Sequence, residues 1–390
     1  MPRQSPASAA FLQAVVGLFR KMPAGARWAV AGAVAVGVAA LFLITRAGGP
    51  AVSAQGSNPD KGEVLFCWWN AENLFDDKDD KRGTIDEEFD NPFAENQQLR
   101  DLKYDRIASA LLKMNNGVGP DIIALCEVES VRSGDILKGV LNKKLKDAKA
   151  DDKLQYVNLM MKNVAAGRHI APCVITRLPV TPQLTRLIGG GSLRILESHV
   201  SVNGHDLCIL ASHWTSQLKQ KDGGDGDSGR EKYAIKLYEA FREMNKKNND
   251  VDVIVCGDFN DSPDADPIVK LLGAIADKSK VKPSADDPPF LNLMAGKDPA
   301  KFGTLFYSGK PLIYDHICAS PGMLDGKGWS VDADSVSVPT EGLTRVGATK
   351  RQPWRFDSPK RDIKDSERGF SDHFPVLVRL KVGPKVGNDP

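Results

Sequence analysis

The chain has 390 residues, of which 42% are hydrophobic and 26% charged, a balance typical of a globular protein rather than a disordered one. Lysine and arginine total 52 against 50 for aspartate and glutamate, so the formal net charge is only +2. This charge excludes a protein that binds nucleic acid through a uniformly basic surface, although a local basic patch remains open.

The first predicted element in chain order is an apolar segment rich in Ala and Gly at residues 28–45, preceded by basic residues. Its length is at the short end for a bilayer-spanning helix and exceeds the usual core of a secretory signal. The basic residues on its amino side predict a cytoplasmic tail at 1–27 and an exported remainder. We therefore predict a transmembrane helix or signal anchor that attaches the protein to a membrane; cleavage near Ala54 would instead release it.

A flexible linker is predicted at residues 46–61, where the sequence is small, polar and aperiodic. No second linker of this kind follows, so residues 62–383 are expected to form one domain, with a tail at 384–390. Helices are predicted from capping residues and apolar spacing at 102–114, 228–244 and 266–272. Strands are predicted from short apolar runs at 64–69, 121–128, 172–176, 199–202, 207–212, 251–256, 304–307, 311–319 and 375–382. The Asn203-Gly204 pair predicts a hairpin turn between two of these strands, and the alternating pattern of the last one predicts a half-buried strand.

The order of these elements indicates the fold class. Strands neither alternate strictly with helices nor run without them. This pattern favours an α/β fold in which two mixed β-sheets pack face to face with helices outside.

All six cysteines lie inside strand-like apolar runs, and no C-x-x-C pair occurs. We therefore predict six buried free thiols and no thiolate metal site. One disulfide between adjacent strands is the alternative.

Polar side chains follow several of the predicted strands at the point where the apolar run stops. Taken singly, an Asp or His at a strand end is more often a cap than a catalyst, but several in one chain indicate a shared site. These residues are Asn70, Glu127, His213, Asp258, Asn260, Asp315, Asp372 and His373.

The segments around these residues together resemble the endonuclease/exonuclease/phosphatase superfamily, which includes pancreatic deoxyribonuclease and the apurinic/apyrimidinic endonucleases. The segments are WNAENLFD, DIIALCEVE, ITRLPV, SHW, GDFND, YDHI and SDHFPV, between residues 69 and 376. The likeness is strongest to the bacterial, often exported branch. It implies a four-layered α/β sandwich, preceded here by one N-terminal transmembrane helix, with residues 62–383 as the catalytic domain.

The resemblance also implies a divalent metal ion, Mg²⁺ or Mn²⁺. Hard dications prefer carboxylate and amide oxygens, and they stabilise the negative charge that develops during phosphoester cleavage. By family likeness Glu127 is the principal metal ligand, with Asn70 and Asp372 close by. Asn70 also belongs to the phosphate-binding set that the resemblance implies.

The same likeness assigns the catalytic residues. His373 and Asp258 would share the activation of water, and which of them is the base stays open. Asp315 would accept a hydrogen bond from His373 and fix its tautomer. Asn260 and His213 would bind phosphate oxygens as donors, His213 best in its charged form. His316 follows Asp315 on a strand, points to the opposite face and is expected to be structural.

One position departs from the family pattern. Arg168 fits the expected phosphate-binding arginine, but Ala171 stands where the bacterial branch has an acidic residue that would pair with His213. Without that carboxylate, the imidazolium form of His213 loses support. We predict either a substitute acid nearby or reduced activity around neutral pH.

Two charged segments leave alternatives open. The acidic segment 76–90 could hold Ca²⁺, but a solvated loop is the favoured interpretation. The basic segment 345–368 carries Trp354 and Phe356 between its basic residues, directly before the SDH motif. Such a composition suits a phosphate backbone with exposed bases, although a plain solvated loop is nearly as consistent with it.

The leading functional hypothesis is a metal-dependent phosphodiesterase, an endonuclease that acts on DNA or RNA outside the cytoplasm, with DNA as the favoured substrate. The membrane segment favours a second hypothesis, hydrolysis of a phospholipid or inositol phosphate headgroup. A catalytically inactive binding module on the same scaffold is the third, and Ala171 alone favours it. No obligate protein partner is indicated.

Overall fold

Two mixed β-sheets, one of six strands and one of seven, form the frame of the fold in a computed structural model of the protein. The structure describes residues 62–82, 86–164, 168–190, 193–217, 227–284, 286–345, 347–348 and 351–386. The predicted cytoplasmic tail, the membrane segment at 28–45 and the linker at 46–61 lie outside the described residues. Within the described ranges, no helix combines the length and apolarity that crossing a membrane requires.

The described elements, numbered along the chain, comprise fifteen strands and five α-helices. The strands are β1 (Glu63–Leu74), β2 (Ile122–Val128), β3 (Asn158–Met161), β4 (Ala171–Thr176), β5 (Arg186–Ile188), β6 (Ile195–Val202), β7 (His205–His213), β8 (Val253–Asp258), β9 (Ala274–Ile275), β10 (Phe290–Asn292), β11 (Leu305–Tyr307), β12 (Lys310–Leu312), β13 (Asp315–Ala319), β14 (Trp329–Ser337) and β15 (Val376–Val382). The helices are α1 (Asp90–Glu95), α2 (Gln97–Lys113), α3 (Val131–Asp147), α4 (Asp227–Lys247) and α5 (Pro299–Phe302).

Each large sheet contains a parallel pair at its centre. The first sheet has the order β14–β15–β1–β2–β4–β3, and the second has the order β5–β6–β7–β8–β13–β10–β9. β1 runs parallel to β2 and β7 runs parallel to β8, whereas their outer neighbours are antiparallel. The residues of the site described below stand at or near the carboxyl ends of β1, β2, β7 and β8.

The main core lies between the two sheets, and side-chain alternation along β7 shows how the layers are separated. Leu207, Ile209 and Ala211 point into the core shared with the first sheet, whereas Cys208 and Leu210 pack under helix α4. Helices α2 and α3 pack on the first sheet. Because successive strand residues point to opposite faces, each sheet can bury both sides, which produces the predicted α/β sandwich.

Local sequence explains where the helices begin. The Asn96 side chain accepts from the Leu99 backbone N–H at the start of α2, and Ser130 accepts from the Ser133 N–H at the start of α3. Such caps satisfy backbone donors that have no partner inside the helix. Helix α3 carries buried Leu137, Leu141 and Leu145 at intervals of four residues, and it is an element that sequence reasoning missed.

Several predicted elements are confirmed and others need correction. The hairpin turn at Asn203 joins β6 and β7, and β15 alternates buried and less buried residues as expected. The predicted strand at 311–319 is wrong as one element, because the chain leaves β12 at Leu312 and enters β13 at Asp315. The edge strand β14 was not predicted. All six cysteines are free and buried, as predicted.

Candidate active site

The site lies where the carboxyl ends of the two parallel strand pairs meet. Asn70 and Glu127 stand near the ends of β1 and β2, and His213 and Asp258 end β7 and β8. Polar groups at the carboxyl ends of parallel strands commonly converge on a crevice outside the sheet. Here they line a cleft of about 590 Å³.

The cleft gathers almost the whole predicted site. The predicted residues that line it are Asn70, Glu127, Arg168, His213, Asp258, Asn260, Asp372 and His373. Asp315 is fully buried and contacts the cleft through His373. Side chains separated by about three hundred positions are thus brought to one place, as the hypothesis required.

Glu127 is held by two donors and by an uncommon backbone conformation. The Asn70 amide Nδ2 donates to Glu127 Oε1 at 3.2 Å, and the Asn73 backbone N–H donates to Oε2 at 3.0 Å. Glu127 has φ of 59°, and Glu72, Asn73 and Asn260 share this left-handed region. Such conformations cost about 1–3 kcal/mol each and often mark functional sites. Glu72, Asn73 and Glu127 lie where the pairing of β1, β2 and β4 shifts register, whereas Asn260 follows β8.

His373 and Asp315 form a tightly bonded buried pair. His373 Nδ1 lies 2.6 Å from Asp315 Oδ2, and the Trp68 indole N–H donates to Asp315 Oδ1 at 2.8 Å. Burial disfavours the imidazolium, but the carboxylates of Asp315 and Asp258 outweigh it and hold the pKa of His373 well above its usual value. The ring is therefore oriented with Nε2 facing the cleft and Asp258, whose Oδ2 lies 3.7 Å away.

Asp258 occupies the centre of the polar cluster. Its Oδ1 accepts from the Asn260 backbone N–H at 3.0 Å, and its Oδ2 accepts from Asn70 Nδ2 at 3.1 Å. Burial, only partly offset by His373, raises the pKa of Asp258 to about 7. The Asn260 amide donates to the Trp214 carbonyl at 3.2 Å, so Asn260 stands at the rim with its side chain already oriented.

The donors present fit a hard divalent cation. Asp258, Asp315 and His373 have ligand atoms within 4.8 Å of one another, but Asp315 is fully buried behind His373 and does not line the cleft. This trio is therefore better suited to proton transfer than to metal binding. Outside this trio, the carboxylates that line the cleft belong to Glu127 and Asp372, and Mg²⁺ and Mn²⁺ prefer such oxygen donors. The Asn70 amide differs from its predicted ligand role, because its nitrogen faces Glu127 and Asp258 while its Oδ1 accepts from the Glu72 backbone N–H at 3.0 Å.

His213 has a different partner from the one that family likeness suggested. Ala171 is buried in β4 beside Val128, and the guanidinium of Arg194 lies 3.2 Å from His213 Nδ1. The acidic groups near the ring are Glu127 and Asp258, both on the Nε2 side at 3.8 and 3.7 Å. Burial, reinforced by Arg194, lowers the pKa of His213 well below its usual value.

Arg168 lines the cleft as expected, and it also supports Glu127 indirectly. Its Nε donates to Asp86 Oδ1 at 2.8 Å, and its Nη2 donates to Asn73 Oδ1. The Asn73 backbone in turn donates to Glu127. Asp86 is 2% exposed and was not singled out from the sequence, since only the tertiary contact shows its connection to the site.

A second group of unforeseen residues supports Asp372. Arg355 donates to Glu72 Oε1 at 2.9 Å and lies 3.4 Å from Asp372 Oδ2. Lys103 is fully buried on helix α2 and donates to the Phe370 carbonyl at 2.8 Å, directly before the SDH motif. Burial lowers the pKa of Lys103 to about 8 in spite of its acidic neighbours. A Lys in the apolar part of a predicted helix was the available signal, because a buried Lys is rare.

The acidic segment 76–90 is not the fully solvated loop that the sequence favoured. Asp76, Asp86 and Asp90 are buried, and the side chain of Arg82 lies among the acids of this region. Arg82 Nε is 3.1 Å from Glu129 Oε1, so Glu129 braces this segment. Arg82 thus pairs with Asp80 and Glu129, and Arg168 pairs with Asp86.

The aromatic residues of the basic segment 345–368 also differ from expectation. Phe356 is 1% exposed and packs in a separate apolar cluster, and the Trp354 indole N–H donates to the Glu367 carbonyl at 2.8 Å. The aromatic wall of the cleft comes instead from the β11–β12 hairpin and Tyr314. Tyr307 of that hairpin is 58% exposed.

His316 lies away from the cleft, in agreement with its predicted structural role. Its Nε2 lies 3.0 Å from the Asp261 carbonyl and its Nδ1 lies 3.2 Å from the Asn292 amide. Its ring stacks on Phe259 at 4.8 Å.

Comparison with known families agrees with the fold and the site. The sequence matches the model of the Endonuclease/Exonuclease/phosphatase family over residues 185–382, more than half of the chain. The protein belongs to this family, whose members are phosphoesterases. No curated protein matched the sequence.

Solved structures with a similar fold share little sequence with this chain. Truncated Caenorhabditis elegans TDP2 is 16% identical with a TM-score of 0.46, and the match covers 82% of this chain and 98% of that chain. D. rerio TDP2 complexed with a single-strand DNA product is 15% identical with a TM-score of 0.46, covering 82% and 99%. A mannosyl-6-phosphatase from Bacteroides thetaiotaomicron is 14% identical with a TM-score of 0.47, covering 81% and 99%. Likenesses this distant do not select a substrate.

Proposed function

We propose that this protein is a divalent-metal-dependent phosphodiesterase that hydrolyses nucleic acid, with DNA as the favoured substrate. The observation that carries the proposal is the convergence of Glu127, Asp258 and His373 on one cleft, with Asp315 bonded behind His373. This combination supplies oxygen donors for a cation next to a base–orienter pair. Metal-assisted phosphoester hydrolysis can use both.

Glu127 and Asp372 would hold the metal ion, Mg²⁺ or Mn²⁺, with Asn70 close by. When bound, the ion would supply positive charge to the phosphoryl oxygens as they become more negative. The chain itself prepares this position, because Asn73 and Asn70 keep the Glu127 carboxylate in place and Arg355 does so for Asp372.

The remaining residues would bind the phosphate and move the proton. Asp258 and His373 face each other across 3.7 Å at the cleft, so a water molecule there could pass its proton to Asp258, or to His373 when that ring is neutral. Asp315 keeps the His373 ring oriented throughout. His213, Asn260 and Arg168 lie on the cleft wall as donors to the phosphoryl oxygens.

Two features of the cleft favour nucleic acid over an isolated phosphate. The exposed ring of Tyr307, on a hairpin that pairs with His373 through Leu305, offers an aromatic face to a base. Arg355 also lines the cleft, and exposed Arg345 lies in the adjoining depression that shares Gln352 and Pro353 with the cleft. Stacking faces next to basic side chains suit a strand with bases and repeated phosphates.

The test compares substrates with the purified full chain. Supercoiled plasmid DNA, RNA, sphingomyelin vesicles and bis(p-nitrophenyl) phosphate are incubated with Mg²⁺, Mn²⁺ or EDTA. We expect plasmid nicking that stops with EDTA and falls by at least about 10³-fold in Glu127→Gln and His373→Ala. His205→Asn is the matched control, because His205 lies outside the cleft and bonds the Pro384 carbonyl.

Other outcomes contradict specific parts of the proposal. Headgroup release without nicking would transfer the assignment to a phospholipid or inositol phosphate. Metal-independent hydrolysis would overturn the role of Glu127 and Asp372. A folded protein without hydrolysis of any diester would identify an inactive binding module.

A further inference from the structure

The contact between Arg194 and His213 determines which ring nitrogen of His213 carries the hydrogen. Arg194 Nη1 lies 3.2 Å from His213 Nδ1, and the His213 backbone N–H donates to the Arg194 carbonyl at 3.2 Å. A guanidinium carries five N–H donors and no acceptor. The ring nitrogen Nδ1 must therefore accept, which leaves the ring hydrogen of His213 on Nε2.

Further contacts hold Arg194 in this position. Its backbone N–H donates to the Tyr233 hydroxyl at 3.0 Å, and its Nη2 donates to the Trp214 carbonyl at 3.3 Å. Tyr233 is 4% exposed on helix α4, and its ring stacks on Trp214. Arg194 Nε also donates to the Tyr233 hydroxyl at 3.4 Å, so this hydroxyl and the Trp214 carbonyl hold the guanidinium.

The other side of the His213 ring faces the cleft. Nε2 lies 3.8 Å from Glu127 Oε1 and 3.7 Å from Asp258 Oδ2, beyond hydrogen-bond distance of either carboxylate. Its N–H is therefore directed into the space where a phosphoryl oxygen would bind under the proposed function. The positive charge expected of an imidazolium is supplied instead by the guanidinium behind the ring.

We propose that Arg194 is a positioning residue that holds His213 as the Nε2–H tautomer and directs this N–H to the substrate phosphate. The contact of this N–H with the substrate phosphate rests on the proposed function, whereas the tautomer of His213 does not. Ala at position 194 would leave the choice of tautomer to other groups, whereas an acid would accept from Nδ1–H and select the opposite tautomer.

The direct test is ¹⁵N NMR of the full chain labelled on histidine. Loss of one signal set in His213→Asn assigns His213 among the six histidines. We expect wild-type His213 to show an unprotonated Nδ1 and a protonated Nε2, and Arg194→Met to shift the signals towards a mixture. Arg194→Lys, which retains a donor, should restore the wild-type pattern. Tyr233→Phe is the control, because it removes the hydroxyl that contacts Arg194 and leaves the guanidinium in place.

A hydrogen on Nδ1 in the wild type, or an unchanged spectrum in Arg194→Met, would overturn the assignment. Neither result depends on activity, so the assignment and the proposed function fail separately.

The kinetic test uses bis(p-nitrophenyl) phosphate with Mn²⁺. Arg194→Met should lower kcat by about 10- to 100-fold while KM changes little, since the misdirected donor matters most in the transition state. In a His213→Asn background the same substitution should cost less than about 2-fold, because its effect passes through the missing ring. If Arg194→Met still lowered kcat as strongly in the His213→Asn background, Arg194 would not act through His213.

Discussion

Both carboxylate oxygens of Asp315 form hydrogen bonds to aromatic neighbours, one with the Trp68 indole N–H and the other with His373 Nδ1. It is fully buried, and although burial favours its neutral acid, His373 and these hydrogen bonds hold its pKa below the usual value. A buried carboxylate with this geometry determines which imidazole nitrogen faces the substrate. Asp315 therefore orients the His373 ring without lining the cleft itself.

Asp315→Asn is expected to leave the fold intact and to lower kcat by about 10³- to 10⁴-fold, since an amide can present the wrong hydrogen-bond polarity to His373. Steady-state hydrolysis of bis(p-nitrophenyl) phosphate measures the loss, and circular dichroism checks the fold. Trp68→Phe removes the hydrogen bond to the other oxygen and should cost at most about 10-fold. Equal losses in the two variants would contradict a special role for the His373 contact.

Among the elements, the β6–β7 hairpin carries a charge network away from the site, in which His199 and Glu197 are buried and their partners are exposed. His199 on β6 lies 2.7 Å from Asp206 Oδ2 and 3.3 Å from Glu197 Oε1. Arg186 on β5 lies 2.9 Å from Glu197 and extends the network across three strands. Burial opposes a charged His199, but the hydrogen bonds to Asp206, Cys208 and Glu197 outweigh it and raise its pKa to about 12.

This network predicts how stability depends on pH. An unfolded histidine has a pKa near 6.5, so the stabilisation by charged His199 is complete below that pH and is lost progressively as pH rises towards the folded value. Urea unfolding between about pH 6 and pH 9 should show a loss of up to about 1.4 kcal/mol per pH unit from this residue. His199→Asn should lack that component, so its deficit relative to wild type shrinks as pH rises.

Asp206→Asn provides the matched variant, because it removes one partner and keeps the imidazole. Its pH dependence should lie between those of wild type and His199→Asn. A deficit of His199→Asn that stays constant across the pH range would show that His199 contributes by packing alone.

The β11–β12 hairpin shows a different use of an element. It belongs to neither large sheet, yet Leu305 pairs with His373 and Tyr307 projects from its tip. A short hairpin placed beside a catalytic residue can change substrate preference without disturbing the two-sheet core. The core strands fix the catalytic geometry, and the hairpin adds the aromatic wall.

At the scale of the whole molecule, attachment to a membrane stays a prediction that rests on residues 28–45. Fractionation of cells that express the full chain tests it. We expect the protein in the membrane fraction, accessible to protease from outside the cytoplasm. A shortened, released form that begins near Ala54 would instead identify a cleaved signal, and a full-length protein in the cytosol would contradict export altogether.

Local pattern was sufficient for much of the fold. Strand alternation in β15, the hairpin turn at Asn203 and the apolar strand before Glu127 all depend on near neighbours in sequence, and the structure contains each of them. Helix α3 was missed although Ser130 and a leucine every fourth residue were visible signals. Strand β14 mixes exposed and buried residues at one edge of its sheet, so its own sequence carries little evidence of a strand.

For the site too, some features follow from sequence neighbours and others from tertiary contacts. Sequence alone was enough to show which polar groups stand at strand ends, because an apolar run and the residue that ends it are adjacent in the chain. Only the tertiary structure decided that Arg194 faces His213, that Arg355 joins Glu72 to Asp372, and that Phe356 is buried. These contacts join different layers or distant loops, so their free energies depend on how the two sheets pack rather than on any spacing along the chain.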